Sequence, residues 1–150
     1  MGNLSVLKFA DEMSRVMPQL LRGFSRRQAD EISKGKITLP QFLILDLLDK
    51  GGALKMTALS LFMEVTTAAM TGLVERLVKC GYVKRAFDPG DRRIIKIELS
   101  KKGAELVRKI SQQRRQMIIK IFGQISEEER ANYLNILLRI RDILNKEKEA

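Results

Sequence analysis

The sequence predicts a mainly α-helical fold with one small β-hairpin, and three observations support this class. Apolar residues recur at three- and four-residue spacing through most of the chain, which is the period of a helix with one buried face. Strict alternation of apolar and polar residues is confined to "YVKRAF" and "IIKIELS". The sequence "DPGD" lies between these stretches and has the composition of a turn, so the two stretches form a hairpin.

Length and composition favour one globular domain over residues 1–150. The chain has 150 residues, of which 45% are hydrophobic and 31% are charged, and this is enough to bury a core. No apolar run approaches the roughly 20 residues of a membrane span, and the N-terminus lacks the pattern of a signal peptide. Cys80 is the single cysteine, which excludes an intramolecular disulfide and favours the reducing cytoplasm.

The charge balance favours a polyanionic partner. Lys and Arg number 28 against 18 Asp and Glu, which gives a formal net charge of +10. The chain contains no histidine, so it lacks both His-based acid–base catalysis and the commonest metal ligand. We find no nucleophile–base pair, phosphate-binding loop or metal-ligand cluster in the sequence. It therefore predicts no enzyme, no catalytic residue, no cofactor and no metal site.

The first 52 residues are expected to form two helices. The periodic apolar residues from Ser5 to Lys34 predict one long helix with a kink near Pro18. Thr38 and Gln41 have the spacing of a capping box, which starts a second helix that stops at Gly51.

Two more helices are predicted before the hairpin. A short apolar helix covers "TALSLFM", and another begins after the N-cap Thr66 and stops at Gly81. Its inward stripe is apolar and consists of Met70, Leu73, Val74, Leu77 and Val78. Its outward face is small and polar and consists of Thr67, Ala68, Thr71, Gly72, Glu75, Arg76 and Lys79.

Two long helices are expected after the hairpin. Ser100 is the N-cap of the first, and Ser126 with Glu129 forms a capping box that starts the second. In "YLNILLRIRDIL" the apolar residues cover more than one stripe, so this helix must be buried on more than one side. An apolar surface of that size usually marks an interface. We therefore expect a homodimer formed by the first helix and the last two.

The hairpin is expected to be a stiff, basic wing. Asp88-Pro89-Gly90-Asp91 has the residues of a type II turn, in which Pro fixes φ and Gly supplies a positive φ. From Lys84 to Lys102 basic residues outnumber acidic ones, as phosphate neutralisation requires. Three helices followed by such a hairpin form a winged helix-turn-helix, whose third helix enters the DNA major groove. The wing can then reach a neighbouring minor groove, although a hairpin with solvated charges is the plainer alternative.

At this point the chain resembles the MarR-type (multiple antibiotic resistance) transcriptional regulators. The resemblance rests on "DPGDRRIIKIELSKKG" and extends back through "LVERLVKCGYVKR" and "ITLPQFLILDLLDKGG". It implies a winged-helix unit at about residues 37–100, with residues 1–36 and 101–150 as a helical dimerisation region. It also implies operator binding, repression and relief by a small molecule.

The resemblance and the face analysis together give a set of predicted DNA-contacting residues. Those on the third helix and wing are Thr66, Thr67, Ala68, Thr71, Gly72, Arg76, Lys84, Arg85, Asp91, Arg92 and Arg93. The threonines and Ala68 should face base edges, Arg76 should reach phosphate, and Asp91 should orient one wing arginine. A pseudo-palindromic operator on double-stranded DNA is expected for a homodimer.

Three positions depart from the family pattern. Ala58 replaces an acid in the first motif helix, and Glu64 stands in the turn where the family usually has Gly. Gly72 replaces a residue that is often basic or polar, and glycine inside a helix costs about 1 kcal/mol relative to alanine. Either close helix packing or close approach of a DNA backbone would account for Gly72.

Several alternatives stay open. A small aromatic or lipophilic effector is expected near Met13, Met17, Phe42 and Leu45, although these residues could equally be plain core. Cys80 is expected to be a small packed residue, with redox sensing as the alternative. The alternative function is a nonspecific architectural or RNA-binding winged helix, which would use the same charge.

Overall fold

The computed structural model describes residues 4–28 and 30–149 of the chain. The fold is mainly helical with a small sheet, as predicted. In chain order the elements are α1 (Val6–Ser25), α2 (Asp30–Ser33), α3 (Leu39–Gly51), β1 (Leu54–Lys55), α4 (Met56–Met63), α5 (Thr67–Lys79), β2 (Val83–Phe87), β3 (Ile95–Leu99), α6 (Lys101–Phe122) and α7 (Glu127–Glu149).

The sheet has three strands in the order β1–β3–β2, all antiparallel. The predicted two-stranded hairpin is therefore incomplete, because β1 pairs with the other edge of β3 through Leu54 and Ile97. A strand of two residues is too short to show alternation, so the sequence pattern could not reveal it. The added strand ties the segment between α3 and α4 to the hairpin.

The core joins α3, α4 and α5 to the sheet and to the first half of α6. Its buried apolar side chains are Ile37, Phe42, Ile44, Leu45, Leu48, Leu59, Met70, Val74, Leu77, Val83, Ile97, Val107 and Ile110. Each buried aliphatic or aromatic side chain contributes roughly 1.5–3 kcal/mol relative to exposure. The winged unit thus has an apolar core of its own, which fixes the position of α5 against the sheet.

The predicted starts of the helices are confirmed by their caps. The Thr38 hydroxyl accepts from the Gln41 amide at 3.3 Å, and the Gln41 side chain accepts from the Thr38 amide at 2.9 Å. The Thr66 hydroxyl accepts from the Ala69 amide at 3.1 Å. Gly81 has a φ of 76°, which a side chain would strain, and it follows the end of α5 as expected.

Helix α1 is shorter than the sequence suggested. It ends at Ser25 instead of continuing to Lys34, and the separate short α2 follows. Pro18 lies inside α1, and the helix continues on both sides of it. None of the residues of α1 is buried, and its apolar side chains include the exposed Val6 and Leu7. The stripe is therefore largely exposed, with Met13 and Phe24 half-buried.

The turn between α4 and α5 is strained at Glu64. This residue caps α4 with φ 54° and ψ 41°, in the left-handed region that favours glycine. The Val65 amide donates to the Ser60 carbonyl at 3.1 Å, so the turn is closed by the backbone. The left-handed region costs a side chain roughly 1–2 kcal/mol. The fold therefore imposes this conformation although the sequence departs from glycine here.

A tight junction links the base of the hairpin to the start of α6. The Ser100 amide donates to the Tyr82 carbonyl at 3.0 Å, and the Ser100 hydroxyl donates to the Gly81 carbonyl at 2.5 Å. The Gly103 amide donates back to the Ser100 hydroxyl at 3.0 Å, which confirms Ser100 as the cap. A Cβ on Gly103 would lie 2.0 Å from the Tyr82 carbonyl oxygen. Only glycine fits there.

The described chain divides into two compact units. The first runs to residue 113 and contains the winged helix, and the second begins at residue 114. In the second unit Ser126 and Glu129 form the predicted capping box, with hydrogen bonds of 3.2 and 2.7 Å. The Phe122 and Tyr133 rings stack with centroids 5.5 Å apart. These units differ from the predicted division at residues 36 and 100, which stays a prediction.

Helix α7 exposes the apolar residues that the sequence singled out. The exposed side chains are Tyr133, Leu134, Ile136, Leu137, Leu138, Ile140, Ile143 and Leu144. In the part of the chain that the structure describes, no single helix is long and apolar enough to cross a membrane. The bent pair α4 and α5, at 109° to each other, matches a span by length and composition alone.

Replacing Gly103 with alanine should destabilise the winged unit. The new Cβ would force Tyr82 away from Ser100, and overpacking of this kind costs about 1–3 kcal/mol. Gly51→Ala is the matched control, because a Cβ there meets nothing within 4 Å and φ is not positive. Urea denaturation should show a lower free energy of unfolding for Gly103→Ala alone. Equal losses in both variants would contradict this account.

Candidate DNA-binding interface

Helix α5 presents the outward face that the sequence predicted. Met70, Val74 and Leu77 are buried on its inner side. On the outer side Thr67 and Gly72 are exposed. The other exposed members of the predicted set on this helix and its cap are Thr66, Ala68 and Arg76, and Thr71 is half-buried. A helix of this kind, fixed on one side and lined with small groups on the other, can enter a groove closely.

The threonine hydroxyls on α5 differ in how they are used. The Thr66 hydroxyl accepts from the Ala69 amide as the N-cap. The Thr71 hydroxyl donates to the Thr67 carbonyl at 2.8 Å, one turn back along the helix. Among the described residues no hydrogen bond uses the Thr67 hydroxyl. Thr67 is therefore the threonine best placed to hydrogen-bond a base edge, and Thr71 offers chiefly its methyl group.

Gly72 is not explained by packing within the chain. A Cβ built on it meets no described atom within 4 Å, so no neighbouring helix requires its absence. The expectation of close helix packing is therefore wrong within the described residues. Close approach of a DNA backbone, which would compensate for the cost of glycine in a helix, stays a prediction.

The stem of the wing holds its basic residues in ion pairs. Lys84 lies opposite Glu98 in the strand register, and their charged groups are 2.9 Å apart. Arg85 points to the other face of the sheet, where its guanidinium lies 3.9 Å from the Glu75 carboxylate on α5. The adjacent Lys84 and Arg85 therefore cannot contact the same surface. The pair of Arg85 with Glu75 joins the wing to the candidate recognition helix.

The tip of the wing is not a type II turn. Gly90 lacks the positive φ that such a turn requires. Instead the Asp88 carboxylate accepts from the Gly90 amide at 2.8 Å and from the Asp91 amide at 3.3 Å, which is an Asx turn. The Ile94 amide donates to the Asp91 carbonyl at 3.0 Å and closes the loop. A side chain, not a left-handed glycine, shapes the tip.

Asp88 also pairs with Lys96 across the hairpin. Their charged groups are 2.5 Å apart, and both side chains are largely covered. The hydrogen bond from Lys96, followed by that from the Gly90 amide, lowers the pKa of Asp88 below its ordinary value of 3.8. Asp88 is therefore ionised at neutral pH, where it holds the tip and the opposite strand together.

The two arginines at the tip differ in how they are held. The Asp91 carboxylate accepts from the Arg93 amide at 3.0 Å and from its Nε at 3.3 Å, so Asp91 orients Arg93 as predicted. Arg93 remains 93% exposed. Arg92 forms no ion pair within the described residues. The side chain of Arg93 is thus held in one orientation by Asp91, whereas no described ion pair fixes the orientation of Arg92.

Sequence reasoning missed the acids that organise this surface. Glu75, Glu98 and Asp88 each pair with a base on a neighbouring element. The alternation of Lys96 and Glu98 on β3 was a usable signal for cross-strand pairing, because opposite charges are favoured there. The pair of Glu75 with Arg85 joins a helix to a strand, so no pattern within either element predicts it.

A cavity of about 290 Å³ lies beside the C-terminal part of α5. It is lined by Gly35, Lys36, Ile37, Thr38, Gln41, Arg76, Leu77, Lys79, Cys80 and Tyr82. Cys80 is exposed, so the expectation that it would be a packed residue is wrong. Its place one residue past the end of α5 turns the thiol away from the core.

The predicted effector residues lie in two different settings. Phe42 and Leu45 belong to the core of the winged unit and are 2% and 0% exposed. Met13 is half-buried and Met17 is 38% exposed, both on α1. The structure thus gives the two methionines, and not the core pair, an accessible surface.

Comparison with known proteins supplies the family. The model of the MarR family matches residues 37–95, which span α3 to the start of β3. The HTH-type transcriptional regulator YsmB of Bacillus subtilis is 30% identical over 105 residues, which are 70% of this chain and 72% of YsmB. The chain belongs to the MarR family. The HTH-type transcriptional repressor MdtR of Bacillus subtilis is 26% identical over 138 residues and 89% of each chain.

Solved structures share the MarR winged-helix fold. A MarR family protein from Bacillus stearothermophilus aligns with a TM-score of 0.81 at 22% identity, over 94% of this chain and 99% of that one. Streptococcus pneumoniae FabT, solved in complex with DNA, aligns at 0.80 and 21% identity, over 91% and 98%. Bordetella bronchiseptica BpsR, whose DNA binding is regulated by 6-hydroxynicotinic acid, aligns at 0.69 and 23%, over 89% and 96%.

Gly72→Ala should stabilise the free MarR-type protein and weaken its binding to DNA. Alanine is favoured inside a helix by about 0.5–1 kcal/mol, and the new methyl group meets no protein atom. The same methyl group would stand between the α5 backbone and an approaching duplex. Urea denaturation and a binding titration measure the two effects separately. Tighter DNA binding by the stabilised variant would contradict the role assigned to Gly72.

Proposed function

We propose that this MarR-family transcriptional regulator is a homodimeric, sequence-specific repressor that binds double-stranded DNA in the cytoplasm and is released by a small-molecule effector. One observation carries the proposal above the others. The small, exposed face of α5, with an uncovered Gly72, belongs to the same buried core as the wing, because Met70 of α5 and Val83 of β2 are both members of that core. One rigid body can therefore address two adjacent grooves of a duplex.

The roles of the DNA-contacting residues follow from their positions. Thr67 reads a base edge through its hydroxyl, while Thr71 and Ala68 offer methyl groups to thymine. Arg76, exposed in the last turns of α5, contacts phosphate and adds affinity without sequence preference. Arg92 and Arg93 contact the minor groove, and Lys84 and Arg85 add positive charge along the stem. Thr66 caps α5 where its N-terminus meets the DNA.

Dimer formation is supported by the apolar surfaces of α1 and α7. Both helices expose more apolar residues than a monomeric protein usually leaves in contact with water. Residues 1–36 and 101–150 are accordingly proposed as the dimerisation region, and residues 37–100 as the DNA-binding unit. Two-fold symmetry would place two copies of α5 on one face of a pseudo-palindromic operator.

Repression is the direction proposed for the regulation. A dimer bound across an operator prevents other proteins from binding the same stretch of duplex. Blocking of this kind needs no surface on the dimer other than the one that binds DNA. The relative MdtR is named as a repressor, which supports the same direction. Expression of a reporter gene placed behind a DNA sequence that the protein binds tightly should rise when the gene for this protein is deleted.

The rival function is a nonspecific architectural or RNA-binding winged helix. Phe87 favours it, since an exposed aromatic ring beside basic residues could stack on an unpaired base. Selection of bound duplexes from a random DNA pool separates the two. A regulator should enrich one pseudo-palindrome and bind it about a thousandfold or more tighter than random duplex. Equal binding of all duplexes, or tighter binding of single-stranded RNA, would favour the rival.

Single alanine substitutions should sort the contacts by kind. Arg92→Ala and Arg93→Ala should each weaken operator binding by about 1–3 kcal/mol without loss of folding, because both side chains are exposed. Arg76→Ala should weaken every sequence alike, whereas Thr67→Ala and Thr71→Ala should change the preferred sequence. Titrations against the selected operator and its single-base variants measure these effects. A changed preference in Arg76→Ala, with none in the threonine variants, would reverse the assignment.

Truncation after Gln124 should abolish dimer formation and operator binding together. The shortened chain loses α7 with its apolar residues but keeps α5 and the wing. The full-length protein should sediment as a dimer at micromolar concentration and prefer two half-sites about 10 base pairs apart to one. A monomeric full-length protein that binds single half-sites as tightly as palindromes would refute this.

We place the effector at Met13, Met17, Phe42 and Leu45. The two methionines supply flexible, accessible apolar surface, and a ligand would reach the buried core pair only if neighbouring side chains moved. BpsR, whose DNA binding responds to 6-hydroxynicotinic acid, supports a small aromatic ligand.

A panel of small phenolic ligands tests the effector. A ligand that binds there should raise the melting temperature, because it binds the folded and not the unfolded protein. It should also release DNA, because it favours a conformation of the folded protein that does not bind DNA. Met17→Ser should remove both effects, whereas Leu61→Ser, at an 81% exposed position on α4, should retain them. If no ligand in the panel changes either quantity, the effector site loses its support.

A further inference from the structure

An apolar pair, Phe87 and Ile95, lies exposed at the outer end of the wing stem. The two residues are cross-strand partners, the last pair of the hairpin ladder before the tip. Phe87 is 66% exposed and Ile95 is 50% exposed. On the same face Ile97 is next to Ile95, and Val83 lies beyond Arg85; both of these apolar residues are buried in the core. The apolar face of the sheet thus continues beyond the helices that cover its inner part.

Folding of one chain accounts for only part of this pair. As cross-strand partners the two side chains contribute modestly to the stability of the hairpin, but at least half of each stays exposed, and the tip is already held by Asp88 through its turn and its ion pair with Lys96. The aromatic ring has no stacking partner among the described residues. An exposed aromatic next to an exposed β-branched residue is typical of a contact surface.

The charges around the pair indicate its partner. Arg92 and Arg93 lie at the tip on one side of it, and Arg85 precedes Phe87 by two residues on the same face, about 7 Å away. A second copy of this chain would bring the same arginines against one another across a two-fold interface. A duplex minor groove, by contrast, presents two rows of phosphates with the apolar edges of deoxyribose between them.

We propose that Phe87 and Ile95 pack against deoxyribose in the wall of the DNA minor groove. The inference rests on the proposed DNA-binding function and adds a contact that is apolar and independent of base identity. Arg92 and Arg93 enter the groove from the tip, and Phe87 and Ile95 limit how deep the wing can go. The wing therefore reads the width of the groove, which depends on sequence, as a shape and not as a base code.

Salt dependence distinguishes this contact from the arginine contacts. Each phosphate contact that is lost lowers the slope of log K against log salt by about 1, while an apolar contact leaves that slope unchanged. The full-length protein is titrated, over a range of salt, with two duplexes of about 30 base pairs, a length that accommodates two half-sites one helical turn apart. One duplex is the sequence that the wild-type protein selects from a random pool, and the other has a random sequence.

Phe87→Ala should bind the selected duplex about tenfold more weakly at every salt concentration, with an unchanged slope. Ile95→Ala should lose less, and Phe87→Leu, which keeps an apolar side chain, should remain within about threefold of wild type. Arg92→Ala is the matched control, because its slope should fall by about 1.

Replacing guanosines beneath the wing with inosine removes a minor-groove amino group, and the affinity of the wild-type protein should change more on this replacement than the affinity of Phe87→Ala.

Three outcomes would overturn the proposal. Phe87→Ala and Ile95→Ala with wild-type affinity would show that the pair touches nothing in the complex. A lower salt slope in Phe87→Ala would show that the substitution had displaced the arginines. A change from dimer to monomer in sedimentation would assign the pair to a contact between copies. If the wild type does not prefer the selected duplex, sequence-specific regulation fails, and the random duplex still tests the wing contact.

Discussion

The carbonyl of Tyr82 is the point on which the winged unit depends. It accepts the Ser100 amide that closes the base of the hairpin, and it lies so close to Gly103 that no side chain fits between them. Because Gly81 and Tyr82 link α5 to β2, while Ser100 caps α6, this contact joins the candidate recognition helix, both long strands and the next helix. Movement here would shift α5 and the wing relative to each other.

Caps and faces could be predicted because their causes are local. Thr38 with Gln41, Thr66 and Ser126 with Glu129 each lie within one turn of the groups they satisfy, so a short stretch of sequence contains the whole interaction. The buried face of α5 followed from helical spacing for the same reason. The end of α1 was placed too late, since no glycine or proline between Ser25 and Lys34 marks the stop that the structure has at Ser25.

The wing was predicted as an element but not in its internal geometry. "DPGD" fits both a type II turn and an Asx turn, and the choice between them depends on Asp88 meeting Lys96 across the hairpin. Strand β1 is too short to give a period, and the contact of Glu75 with Arg85 joins residues on different elements. Exposure of Cys80 likewise depends on what other elements leave uncovered, which spacing along one helix cannot reveal.

The Asx turn at Asp88 separates the shape of the wing from its chemistry. A turn that needs a glycine with positive φ is strained when any other residue replaces that glycine. Here one carboxylate makes the turn, and positions such as Arg92 point outward without supporting it. Descendants of this chain could therefore exchange the outward residues one at a time and keep a folded wing at each step. The proposed DNA contacts of the wing could thus change one residue at a time without a loss of its fold.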